Sequence, residues 1–255
     1  PATVTWVVEA CDDEDLVQLN QRLAVVASVT TVERLCVHLR KGVRRLVMRD
    51  VIQLVVRGYN ISIGHLETTN VHTLRIVGPI RQRVLQGKCN GLNTVYVAGG
   101  NDRRFHHDGI ASVPALAGVR TVHIAGLPML SDLSPFRDAQ HVTLIESCEG
   151  ANLNALENAR FVSARNCVFS SNAKIVLPHA EEVCLWGLEF RQPTQLYCPK
   201  ANRLSLMYLS ALAQVFSHPQ LQHLTATPEA LPAIQAEHVK EAHVSVSVLQ
   251  AEEGG

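Results

Sequence analysis

Only one stretch of this 255-residue chain concentrates side chains that could do chemistry: Asn101-Asp102-Arg103-Arg104-Phe105-His106-His107-Asp108. Adjacent imidazoles beside a carboxylate could ligate a metal or move a proton, yet a ligating site needs further donors at a diagnostic spacing and none accompanies them. The segment reads as a solvated loop, in which Arg103 and Arg104 suit an acidic partner or a phosphate. No Gly-rich phosphate loop follows a strand, and neither Gly-x-Ser-x-Gly nor His-Glu-x-x-His occurs. The seven cysteines (11, 36, 89, 148, 167, 184, 198) are odd in number, irregularly spaced and never Cys-x-x-Cys, which signals neither a disulfide framework nor zinc. Reduced thiols, no cofactor, no metal and no enzymatic activity are the expectations.

A net charge of zero hides three blocks. Residues 1–32 carry one Arg against five acids, residues 33–104 thirteen Lys/Arg against four, and residues 105–255 nine against fourteen, for nets of −4, +9 and −5. Such asymmetry points to nucleic acid or acidic protein partners for the basic block. Eighteen of the twenty-three basic residues are Arg, the residue of bidentate phosphate and carboxylate contacts. The candidate contacts are Arg44, Arg45, Arg49, Arg57, Arg81, Arg83, Arg103 and Arg104. There is neither a transmembrane-length apolar run nor a secretory start, so a soluble protein of a reducing intracellular compartment, with no membrane partner, is expected.

The elements that must position these residues announce themselves as a repeat. An apolar residue, two variable ones, a second apolar, one variable and a third apolar recur as Val71/Leu74/Ile76, Leu92/Val95/Val97, Val119/Val122/Ile124, Ala139/Val142/Leu144 and Ala159/Val162/Ala164. The series continues through Ala180/Val183/Leu185, Ala201/Leu204/Leu206, Leu221/Leu224/Ala226 and Val239/Ala242/Val244. First anchors step by 21, 27, 20, 20, 21, 21, 20 and 18 residues. Pro178, Pro199 and Pro219 each stand two residues before an anchor, where a strand does not yet need its N–H groups. Each unit alternates like a short half-buried strand, and no single unit can bury its apolar side, so neighbours must stack.

This pattern resembles the leucine-rich repeat family over roughly residues 71–249, in its Leu-x-x-Leu-x-Leu core and in repeat length. The resemblance implies a parallel β-solenoid, α/β or mainly β, whose strands line a concave binding face. The chain departs from the family where a turn Asn or Cys follows the third anchor. Gly100, Leu127, Ser147, Cys167, Leu188, Leu209 and Glu229 stand there, and only Cys167 fits, which leaves another parallel β-solenoid open. After each strand too few residues remain for a helix, so the convex side is expected to be extended or 3-10, with a turn or two of helix over Ser210–Ser217.

Residues 1–70 read as a short α/β amino-terminal cap with irregular first repeats, residues 71–249 as the solenoid and residues 250–255 as a tail. A strand over Thr3–Val8 precedes an acidic helix start (Asp12 to Asp15) and Leu16, Leu19, Leu23 and Val26 at helical spacing. Thr30 with Glu33 suggests a capping box, and Val32, Leu35, Cys36 and Leu39 a second helix ending at Gly42. Arg44–Met48 and Ile52–Val56 read as strands.

If the anchors face the core, the residues between and after them face outward. The column after the third anchor runs Ile145, Arg165, Trp186 and Met207, with Phe161 expected beside it. Large apolar side chains with Arg have the composition of an interface hot spot. The sequence therefore implies a non-catalytic protein-interaction module or scaffold subunit of a larger assembly, binding one or more proteins through the sheet face. A ribonucleoprotein subunit meeting RNA through the basic 33–104 segment is the alternative. Histidines at variable positions, such as His123, His141, His223 and His243, read as ordinary surface residues. Cys148 and Cys167, at matching repeat ends, read as buried apolar side chains.

Overall fold

The computed structural model describes residues 3–10, 12–27, 29–59, 61–80, 86–99, 113, 116, 118–148, 150–169, 173–217, 221–227, 230–234 and 243–244. The chain is a parallel β-solenoid. One twelve-stranded sheet, every pair parallel, runs its length in the order β1 (Thr3–Ala10), β2 (Thr31–Leu39), β4 (Val51–Gly58), β6 (Thr73–Val77), β8 (Thr94–Ala98) and β9 (Thr121–Ala125). It continues through β10 (His141–Ile145), β11 (Phe161–Arg165), β14 (Glu182–Trp186), β16 (Arg203–Met207), β18 (His223–Ala226) and β19 (His243–Val244). The intervening segments build the other wall of the coil. Its first part is a three-stranded sheet of β3 (Val43–Arg49), β5 (Ile63–Thr69) and β7 (Gln86–Asn90). Its last part is a four-stranded sheet of β12 (Val168–Phe169), β13 (Lys174–Val176), β15 (Glu189–Tyr197) and β17 (Ser210–Phe216). Between and after these sheets the wall narrows to single 3-10 turns at Ser134–Phe136, Leu153–Leu156 and Leu231–Ala233.

The three anchors of every described repeat point inward. Val119, Val122 and Ile124, for example, are 1%, 1% and 0% exposed, and the same positions in each neighbour join one continuous core cluster. Stacking by single strands about 4.8 Å apart is what lets so thin a unit bury its apolar side. Where the family resemblance would place a turn Asn, the buried side chains are Leu127, Ser147, Cys167, Leu188 and Leu209. The core thus extends into the turn. Ser147 performs part of the missing amide's work: its Oγ accepts the Leu127 N–H at 3.1 Å and donates to the Ile145 carbonyl at 2.7 Å. Ahead of this position the backbone turns through left-handed residues at the same point of successive coils, namely Gly126, Glu146, Asn166, Gly187 and Tyr208.

One helix, α1 (Asp13–Ala27), takes the place of a wall strand in the first coil. The Asp12 carboxylate accepts the N–H groups of Glu14 and Asp15, both at 3.0 Å, and caps its N-terminus. Leu16, Leu19 and Leu23 form its buried stripe. Asp13 Oδ1 accepts the Arg44 and Arg45 N–H groups at 2.8 and 3.2 Å, docking α1 on β3.

Two expectations are corrected. Residues 31–39 are strand β2, not a helix. Val32, Leu35, Cys36 and Leu39 do fall at helical spacing, but Val32/Leu35/Val37 is also the three-anchor pattern, and Val51/Leu54/Val56 follows it nineteen residues later. Pairing with β1 on one side and β4 on the other decides between two periods that so short a segment supports equally. The strand's extra residue, Glu33, is absorbed as a bulge against β1. The helical turn expected over Ser210–Ser217 is strand β17, because Val215 and Phe216 pair with Leu196 and Tyr197 of the coil before. The 101–108 loop, the Val239/Ala242 anchors and the 250–255 tail lie outside the described residues.

Candidate functional site

The outward positions of the large sheet form three aligned columns, because the strands of β6 to β16 pair without a register shift. This open face has no described element over it. Ile145, Arg165, Trp186 and Met207 are successive Cα partners across β10, β11, β14 and β16, so the expected column exists in the backbone. Its side chains are not equivalent. Trp186 is 43% exposed, and the Arg165 guanidinium lies over its ring at 4.3 Å. Ile145 is half-buried, whereas Met207 is only 7% exposed, although it stands apart from the continuous core cluster. Phe161 also departs from expectation. It pairs with Glu182 at the start of the strands, four residues and about 13 Å from the Trp186 column, and its ring meets His141 at 6.1 Å instead.

The side chain that replaces them beside Trp186 is Tyr208, 48% exposed, its ring 6.5 Å away. Tyr208 sits at φ 53 in the turn after β16, with its N–H bonded to Thr227 Oγ1 at 3.2 Å. No pattern in the sequence marks it, since it follows the last strand position and its direction comes from the left-handed turn. Trp186, Arg165 and Tyr208 therefore form a compact exposed cluster at the strand ends.

A second cluster fills the middle column farther up the coil. Arg75, Tyr96 and His123 are consecutive Cα partners. The guanidinium stands 4.5 Å above the Tyr96 ring, and the tyrosine and imidazole stack at 4.6 Å with planes 4° apart. The ring spacing is close to the strand spacing, so the sheet itself sets the stack. Burial, and secondarily the Arg75 charge, holds the His123 imidazole below its ordinary pKa. His123 is thus more than the ordinary surface residue its variable position suggests. The slot it shares with Tyr96, between second and third anchors, is the sequence signal for the stack.

A cleft of about 270 Å³ on the open face is lined by Glu182, Cys184, Arg203 and His223, but its thiol is a poor nucleophile. Burial, with the Glu182 carboxylate 3.8 Å away, pushes Cys184 up to about 11. Cys148 and Cys167 are buried free thiols, and burial drives both above the usual range. No group of three His, Cys, Asp or Glu able to hold a metal occurs among the described residues.

The candidate phosphate contacts do not form one surface. Arg44, Arg45 and Arg49 lie on β3 in the back wall, whereas Arg57 ends β4 on the open face. Arg81, Arg83, Arg103 and Arg104 lie outside the described residues. On the back wall the charge is partly answered internally: Arg45 donates to Glu67 at 2.7 Å, a bond that holds the glutamate below its ordinary pKa. Arg45 and Arg49 also border a hollow of about 600 Å³ between α1 and β3, along with Asp13 and Asp50. No helix among the described residues is long and apolar enough to cross a membrane. No family model, curated protein or solved structure matches the chain.

Proposed function

We propose that this chain is a non-catalytic interaction module that docks a protein partner on the open face of its large sheet, as a subunit of a larger assembly. The observation that carries this reading is the Arg165–Trp186–Tyr208 cluster. Two large rings stand nearly half exposed on a regular parallel array, with a guanidinium already stacked and its remaining donors free to point outward. Trp, Tyr and Arg are the side chains that carry most binding energy when a partner excludes water around them. The leucine-rich-repeat-like pattern supports the same reading by analogy of fold, which is the weaker argument. The thiols shifted upward and the scattered His residues offer no competing chemistry.

Affinity capture from native cells with the tagged chain tests this. Trp186→Ala should abolish capture of the protein that wild type retains after nuclease treatment, while Trp186→Phe keeps part of it. Both variants are checked for unchanged far-UV circular dichroism. Undiminished capture by a folded Trp186→Ala chain would refute the assignment.

A further inference from the structure

The upper half of the open face differs chemically from the Trp186 cluster. On β2, β4, β6, β8 and β9 the outward positions include Arg34, His38, Arg57, Arg75, Tyr96 and His123, and the one carboxylate in these five strands is the exposed Glu33 of the β2 bulge. Neither Arg34, Arg57 nor Arg75 has an ion pair among the described residues, and the Arg75 Nε is buried without a hydrogen-bond partner. On the neighbouring β1 the Glu9 carboxylate is paired with Arg40. On the back wall, by contrast, the Glu67 carboxylate answers the Arg45 guanidinium.

The middle column supplies a second, independent observation. Arg75, Tyr96 and His123 stack one per strand, and the stack stops because the next strand offers Thr143 in that slot. Both faces of Tyr96 are occupied, whereas the His123 face turned toward Thr143 has no ring against it among the described residues. Beside the stack, Thr73, Thr94 and Thr121 form a hydroxyl ladder in register. Cations without acidic partners, a ladder of hydroxyls and one vacant stacking position are the ingredients of sequence-tolerant single-strand recognition.

We propose that this half of the open face binds single-stranded nucleic acid, with Arg34, Arg57 and Arg75 on phosphates and a base stacked on His123. The five strands span about 19 Å, room for a few nucleotides laid across them. An acidic protein segment would satisfy the arginines but leave the ring face unused, which is why nucleic acid is favoured. Burial, and secondarily the Arg75 charge, lowers the His123 pKa and so favours the uncharged ring, which stacks without a desolvation penalty for charge. The site is separate from the Trp186 cluster and does not depend on the protein-docking reading.

The test is fluorescence anisotropy of the full chain with a labelled oligoadenylate RNA of about a dozen nucleotides, a length within the usual single-strand site range. Three phosphate contacts predict a log–log salt slope of about −2, falling to about −0.7 in Arg57→Ala/Arg75→Ala. His123→Leu should weaken binding roughly tenfold while leaving the slope unchanged, the signature of lost stacking. Trp186→Ala should bind RNA as wild type does. The proposal is overturned by an absence of binding at low salt, or by polyglutamate of equal charge competing as well as unlabelled RNA. It is equally overturned if Arg44→Ala/Arg49→Ala on the back wall, rather than the open-face pair, removes the salt dependence.

Discussion

Gly87 is where the back wall can be tested most sharply. It lies in β7 opposite Leu66 of β5, at φ +150, and a Cβ there would stand 1.7 Å from the Leu66 carbonyl oxygen, 2.6 Å from its carbon and 2.9 Å from its nitrogen. All three atoms are backbone, so no rotamer change relieves the clash. β5 and β7 must separate by more than an ångström, enough to break the ladder bonds nearest the site at about 1 kcal/mol each. The backbone conformation adds about 1 kcal/mol for any residue with a Cβ. Gly87→Ala should therefore cost about 3–5 kcal/mol. Gly91→Ala is the control. Its φ is +82 but the nearest atoms to its Cβ are 3.6 Å away, so only the conformational cost of about 1 kcal/mol applies. Urea denaturation reads the totals, and hydrogen exchange should show protection lost in 63–69 and 86–90 but kept in β14 and β16, because coils contact only their neighbours. Equal costs for the two variants, or uniform loss of protection, would refute so close an approach of β7 to β5.

Met207→Ala should lower stability by about 2–5 kcal/mol on thermal melting, as for a buried side chain rather than a surface contact; a change under about 0.5 kcal/mol would return Met207 to the exposed strip. Ser147→Ala leaves the buried Leu127 N–H without its acceptor and should cost about 1–3 kcal/mol, with faster exchange of that one amide. His123 has a depressed pKa in the folded chain, so below its ordinary value of 6.5 the unfolded chain takes up a proton that the folded one resists. Its contribution is fully present above that pH and is lost as pH falls through the folded value. Melting temperature should accordingly fall more steeply with acidification in wild type than in His123→Gln, and parallel curves would contradict the stacked, half-buried imidazole.

The solenoid was legible in the sequence because its cause is local and periodic. Val71/Leu74/Ile76 and its successors state which side chains turn inward, and the step of about twenty residues states that coils stack. The same logic identified the open-face column through Ile145, Arg165 and Trp186, since register follows from equal repeat length. Where two periods fit one segment, pattern alone misleads: Val32, Leu35, Cys36 and Leu39 satisfy a helix as well as a strand. Only the neighbours β1 and β4, distant in sequence, decide for the strand. Ser210–Phe216 is extended for the same reason, because the coil before it presents a strand edge to be paired.

Side-chain environment was the part that alternation alone does not encode. Trp186 and Met207 are Cα partners on adjacent strands of the same column, yet one is nearly half exposed and the other buried. Tyr208 joins the exposed cluster because a left-handed turn, not a strand, sets its direction. The basic block was visible as composition, but the coil divides it between two faces, pairing Arg45 with Glu67 on one and leaving Arg57 and Arg75 without acidic partners on the other. Which charges are answered and which are left facing solvent is a property of packing between coils, and only the tertiary structure decides it.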